Sequence, residues 1–250
     1  MAEPILDLRG LSRRFGALRA VDQVTLAFER GTVHAVIGPN GAGKSTLLNL
    51  LSGELRADAG SVHFRGEDVT RASPDRLSRL GIGRSFQTAT VLEGLTCEET
   101  LRLSAQSCLR SSMRFFRPSD RYPEVNARAE RALGECRMTA RRSARAKDLS
   151  YGEQRQLEIG MVLATSPQLL LLDEPLAGLG HDEALAVVDL LRAIAVDHTL
   201  VLVEHDMDAV FSLAAAVTVL VNGKVLETGT PAQIRGSPAV REAYLGEEDP

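Results

Sequence analysis

Leu149-Ser150-Tyr151-Gly152-Glu153, followed downstream by Leu169-Leu170-Leu171-Leu172-Asp173-Glu174-Pro175, is the stretch that decides the fold of this chain. A serine/glycine turn opens a segment with helical character, predicted over 152–164. The four-leucine run after it is short enough for a strand buried on both faces of a parallel sheet. That strand ends in two carboxylates. Asp173 and Glu174 are thereby delivered to one edge of the sheet.

Upstream, a β-branched run predicted as a strand over 32–37 leads into Gly38-Pro39-Asn40-Gly41-Ala42-Gly43-Lys44-Ser45-Thr46. This satisfies G-x-x-x-x-G-K-[ST], with an apolar strand before it and a helix predicted over 44–52 after it. The glycines let the backbone curl so that successive N–H groups face phosphate oxygens. The helix N-terminus adds a favourable dipole. Lys44 is expected to reach β- and γ-phosphates, and Ser45 to ligate Mg²⁺. Asp173 would hold the same cation through water, leaving Glu174 as the general base for an attacking water. His205, in Val203-Glu204-His205-Asp206, follows another predicted strand (199–203) expected beside the leucine strand. Gln87 ends a short predicted strand over 82–86.

The rest of the chain fits an α/β core interrupted by a helical insertion. Strands are predicted over 5–15, 20–29 and 61–64, with a polar turn at 65–70. Helices are predicted over 97–106 and 126–136, and a loop over 110–123. A helix is predicted over 182–196 with Asp182 as its cap, and a shorter one over 207–213. Strands 217–221 and 225–228 flank Asn222-Gly223, a type I′ hairpin signal. The 250 residues are 44% hydrophobic and 25% charged, an ordinary globular balance. No run approaches the roughly 18–20 apolar residues needed to span a bilayer, and the N-terminus lacks the pattern of a secretory signal. Cys97, Cys108 and Cys136 show no close metal-ligand spacing and are expected to be reduced. Trp is absent and aromatic residues are 4%, which argues against base-stacking platforms and for no nucleic-acid partner. The net charge of -4 is uneven: residues 110–147 hold 11 Lys+Arg against 4 Asp+Glu. That shift marks about 88–165 as a separate subdomain whose basic face reads first as a solvated helical surface.

GPNGAGKST, SFQ, LSYGEQ, LLLLDEP and VEHD, in this order and spacing, resemble the nucleotide-binding subunit of an ABC transporter over essentially the whole chain. The resemblance implies one α/β domain of the P-loop NTPase ABC type over 1–250. An antiparallel β subdomain and a helical subdomain (about 88–165) would accompany a core of 1–87 and 166–250. It implies ATP and Mg²⁺ as ligands, and it makes Phe15 the aromatic that stacks on adenine. Gln87 would touch Mg²⁺ and the water, and His205 would act as a switch. Two such domains pair head to tail, so Ser150 and Gly152 would contact the γ-phosphate held by the partner. The remaining partners implied are a second, related ATPase, two integral-membrane permeases and, indirectly, an extracytoplasmic binding protein. The chain would then sit peripherally on the cytoplasmic face of the bacterial inner membrane. Permease loops would dock on the helical subdomain.

Three residues depart from the family pattern. Tyr151 stands where a second glycine is usual, Glu153 where glutamine is usual, and Gly180 where the D-loop (Leu176-Ala177-Gly178-Leu179-Gly180) normally ends in Asp. The runs SFQTATVLEGLT, QLEIGM, DEPLAGL and VREAYLG are similar to importers of branched-chain amino acids and equally to urea and short-chain amide importers. FQTATV and LEIGM lean to the latter, while the expectation as a whole goes to the amino-acid group. Soluble ABC ATPases of translation or DNA maintenance usually carry two cassettes or a long coiled coil, and neither is visible. Lys44, Asp173, Glu174 and His205 together argue against a non-hydrolysing binding module.

Overall fold

The computed structural model describes residues 3–85, 91–107 and 122–245. Gln87, Cys108, Phe86, Gly246 and most of the predicted loop 110–123 lie outside them.

Two sheets and nine α-helices are present among the described residues. The strands are β1 (Leu6–Phe15), β2 (Leu18–Phe28), β3 (Val33–Ile37), β4 (Ala59–Phe64), β5 (Glu67–Asp68), β6 (Ile82–Arg84), β7 (Leu169–Asp173), β8 (Thr199–Val203), β9 (Ala216–Val221) and β10 (Lys224–Gly229). The helices are α1 (Lys44–Leu51), α2 (Pro74–Leu80), α3 (Cys97–Ser107), α4 (Pro123–Glu135), α5 (Tyr151–Leu163), α6 (His181–Ile194), α7 (Met207–Leu213), α8 (Pro231–Gly236) and α9 (Pro238–Leu245).

The larger sheet runs β10-β9-β3-β8-β7-β6, parallel throughout except for β10 on β9. Every residue of β3, β7 and β8 is buried, as a continuous apolar strand in a parallel sheet requires. Alternation assigns the two faces. Leu169, Leu171, Val201 and Val203 pack with α1, whereas Leu170, Leu172, Leu200 and Leu202 pack with α3, α4, α5 and α6. Burying each of these side chains contributes about 1.5–3 kcal/mol. The smaller, antiparallel sheet runs β2-β1-β4-β5 and lies on the α1 side of the same core.

Asn222 and Gly223 have φ of 50° and 76°, so the β9–β10 turn has the two left-handed positions that its sequence signals. Several local expectations need correction. Gly180, not Asp182, is the N-cap of α6, and Glu183 accepts a bond from its amide. The polar turn at 65–70 contains the two-residue strand β5. The helices α2, α8 and α9 had no apolar periodicity long enough to be read. Yet Ser73-Pro74 and Thr230-Pro231 with Gln233 carry the cap and N1 residues that start α2 and α8.

Cys97 and Cys136 are free and buried, and burial pushes the Cys136 thiol up to about 12. Neither has the thiolate character that reactivity needs. Within the basic stretch, Arg128, Arg141 and Arg142 are paired with Glu124, Glu153 and Glu130.

Candidate nucleotide site

The phosphate loop leaves β3 at Gly38, whose φ of 150° and contact with the Leu220 carbonyl exclude any side chain. Gly43, at φ 98°, is the N-cap of α1 and lies against the Ala20 carbonyl of β2. No side chain caps α1 and no acidic residue occupies its first turn, so its amide end is left positive for an anion. Pro39, Asn40, Gly41 and Ala42 form the intervening turn, in which the Ala42 amide bonds the Pro39 carbonyl at 3.2 Å. Lys44 Nζ donates to the Gly38 and Pro39 carbonyls at 2.5 and 2.8 Å, arching over that turn. Ser45 is exposed and Thr46 half-buried at the start of α1.

Phe15, 44% exposed, ends β1 at the tip of the β1–β2 hairpin, with the Arg13 guanidinium 4.9 Å from its ring centroid. The same hairpin touches the phosphate loop at Ala20.

At the carboxyl end of β7, Asp173 is 2% exposed and its Oδ1 has no hydrogen-bond partner. Burial pushes this carboxyl up, Arg84 pulls it back, and Glu174 pushes it further up; Lys44 also acts on it. Lys44 and Glu174 are therefore both close enough to act on the Asp173 carboxyl. A buried acceptor oxygen without a donor costs free energy unless a cation or water meets it. Oδ1 is thus suited to a hard cation that prefers oxygen ligands. Glu174 has a φ of 48°, and its amide donates to the Val203 carbonyl at 2.9 Å, which turns the chain away from the strand immediately after Asp173. Such a backbone position in a non-glycine residue is held only by surrounding structure.

Part of that structure is Glu204. Its carboxylate is buried and accepts from the Leu176 amide at 2.8 Å and the His205 amide at 3.1 Å. Burial raises its pKa, and the Leu176, His205 and Asp206 amides oppose that rise. One side chain thus joins the turn after Asp173-Glu174 to the turn bearing His205. The His205 ring itself is 69% exposed, its Nδ1 3.9 Å from Glu204.

Ser150 is the N-cap of α5. Its hydroxyl accepts from the Glu153 amide, and Glu153 Oε2 accepts from the Ser150 amide at 3.0 Å. This reciprocal capping box contributes about 1 kcal/mol. Burial works against the Glu153 charge, but the Ser150 amide and Arg141, at 2.6 Å, outweigh it and hold the carboxyl low. The Gly152 amide donates to Glu183 Oε1 at 3.0 Å, and a methyl group on Gly152 would lie 2.9 Å from the Glu183 side chain. The Tyr151 hydroxyl donates to the Ala177 carbonyl at 3.4 Å, with its ring on Gly178. The start of α5 is therefore latched to residues 177–183.

Between α1, α2, β6, α3 and α5 lies a cleft of about 660 Å³. Leu92, Leu103, Met161 and Val162 supply its apolar wall, and Arg84 and Glu158 its polar one.

The family model described as "ABC transporter" matches residues 21–177, and that described as "Branched-chain amino acid ATP-binding cassette transporter" matches residues 224–250. The chain belongs to the ABC transporter ATP-binding family. The cassette is 37% identical to the high-affinity branched-chain amino acid transport ATP-binding protein BraF of Pseudomonas aeruginosa. That alignment covers 99% of this chain and 100% of BraF. It is 35% identical, with the same coverage, to the corresponding LivG protein of Escherichia coli K12. A crystal structure of the ADP conformation of an ABC transporter cassette superposes with a TM-score of 0.88 at 30% identity, covering 98% of this chain and 100% of that one.

Glu204, Glu183, Arg141 and Arg84 are the side chains of this cassette that motif reading passed over. Glu204 stands inside a quoted motif, but the bond that gives it a task there, from the Leu176 amide, comes from another loop. Glu183 is three residues past Gly180, the spacing of an N3 capping residue, which is the signal that could have found it.

Proposed function

We propose that this chain is the ATP-hydrolysing subunit of an ABC importer for branched-chain or related hydrophobic amino acids. The observation that carries this reading is the match of residues 224–250 to the branched-chain amino acid family model, joined to end-to-end similarity with BraF and LivG. The core over 1–87 and 166–250 would hold ATP, and the helical subdomain over about 88–165 would receive the permease. The cleft beside α3 and α5, with Leu92 and Leu103 exposed on it, suits an apolar helix from a membrane subunit. No helix among the described residues is long and apolar enough to cross a membrane.

In this reading the phosphate loop (Gly38 to Thr46) cradles the phosphates through its amides, and Lys44 exchanges its loop carbonyls for phosphate oxygens. Phe15 lies under the base. Ser45, Gln87 and Asp173 would hold Mg²⁺, which when bound neutralises phosphate charge. Glu174 takes the proton from the attacking water, and His205 steadies the γ-phosphate from the neighbouring strand. Ser150 and Gly152 are presented to the nucleotide of a second, related ATPase. For Gly152 this requires Glu183 to give up its amide.

The test is uptake in cells lacking this chain. Loss of radiolabelled leucine, isoleucine and valine uptake is expected, restored by the wild-type chain but not by Glu174→Gln. Intact amino-acid uptake with lost urea or acetamide uptake would overturn the assignment of solute class.

A further inference from the structure

The side chain of Arg84 is 10% exposed and is shared between two parts of the molecule that the sequence keeps far apart. Arg84 ends β6, in register with Leu171 of the parallel neighbour β7. Leu171 and Asp173 are two residues apart on β7 and so face the same side of the sheet, which is the side Arg84 faces. The guanidinium runs along that side. Nη1 donates to Ser52 Oγ at 2.6 Å, and Nη2 lies 3.5 Å from Asp173 Oδ2. Ser52 is the C-cap of α1, where the carbonyl end of the helix favours a cation. With Oδ2 facing Arg84, the oxygen left without a partner is Oδ1. On their other side, Arg84 and Ser52 form part of the cleft wall.

We propose that Arg84 is a positioning residue for Asp173: seated on Ser52, it holds Oδ2 and leaves Oδ1 to the divalent cation, and it ties that carboxylate to the wall of the cleft. The proposal rests on the nucleotide reading above and adds to it a residue outside its motifs. The planar guanidinium matters because two of its nitrogens engage two partners at once. Lysine would bring the charge as a single point and could not span Ser52 and Asp173 in the same way. A partner seated in the cleft touches the same side chain that orients the metal carboxylate.

The experiment compares ATP binding by the full chain in EDTA and in saturating Mg²⁺, for wild type, Arg84→Lys, Arg84→Ala and Ser52→Ala. Bound Mn²⁺–ATP, followed by electron paramagnetic resonance, gives a second readout of the cation's ligands. Metal-free affinity is expected to stay within about twofold of wild type, because the phosphate loop is untouched. The gain in affinity from Mg²⁺ should fall about fivefold or more in both Arg84 variants and about twofold in Ser52→Ala, with an altered Mn²⁺ spectrum. If Arg84→Ala does not fold, Arg84→Lys and Ser52→Ala decide the matter. Normal metal-free binding with an undiminished Mg²⁺ gain in those two variants would overturn this proposal alone. Absence of ATP binding by wild type in either condition would overturn the nucleotide reading, and this proposal with it.

Discussion

The two faces that the proposed reading assigns to nucleotide are built by different means. The phosphate loop and β7 are set mainly by backbone: parallel strands in register, buried throughout, with loops leaving them at Gly38 and Asp173 and Glu204 pinning the second of these turns. The start of α5 is set by side chains: Glu153 on Ser150, Glu183 on Gly152 and Gly180, and Tyr151 on Ala177. A backbone-built face is hard to move without unfolding the sheet. A side-chain latch can open and close while the fold persists, which suits the proposed meeting with a second subunit.

The strongest challenge to this contrast acts on the chemistry of the backbone-built face. Glu174→Gln should cut steady-state ATP hydrolysis by roughly 10²–10⁴-fold while ATP binding is kept. Near-normal turnover would remove Glu174 from the role of base. Ser150→Arg should leave ATP binding by this subunit unchanged and, in a dimer changed only here, slow hydrolysis at the partner's site by about 10²-fold. Single-turnover measurements on each site separately would show whether the latched face serves the partner.

Stability separates the two faces further. His34 lies in β3, the strand that feeds the phosphate loop, its Nε2 2.7 Å from Thr218 Oγ1 and its ring on Phe28. Burial lowers its pKa to about 4 from an ordinary 6.5. Between those values the unfolded chain holds the extra proton. The stabilisation is therefore complete above pH 6.5 and is lost as pH falls towards 4, about 2 kcal/mol of it by pH 5. Urea unfolding at pH 7 and pH 5 should show this loss in wild type and a smaller one in His34→Gln. An equal loss in both would show that the imidazole is not its source.

Opening the latch should cost less. Glu183→Ala removes acceptors from two amides and should destabilise by about 1–2 kcal/mol, lowering Tm by a few degrees. Hydrogen exchange should then quicken at Gly152 and Gly180 while β3 and β7 stay protected. Faster exchange throughout β7 would mean that the latch and the sheet are a single cooperative unit.

The strands β7 and β8 were readable because a continuous apolar run of four residues has few other places to go. The phosphate loop was readable because its glycines are required by backbone shape at Gly38 and Gly43. Helix α6 was readable but its start was not. Asp182 has the right chemistry for a cap, and only the fold shows that Glu183 reaches back to Gly180 while also reaching Gly152. The departures at Tyr151, Glu153 and Gly180 were visible as oddities. Their meaning lay in contacts across more than twenty residues of sequence for Tyr151 and in the Arg141 pairing for Glu153.

The sequence by itself determined the family, the parallel core and the edge where Lys44, Asp173 and Glu174 converge, since these follow from local spacing, periodicity and glycine positions. The tertiary structure alone decided which carboxylates tie one motif to another. Glu204 on Leu176, Glu183 on Gly152 and Arg84 on Asp173 are pairings between segments distant in the chain. A side chain's partner depends on which strands and helices lie side by side, and no local pattern records that.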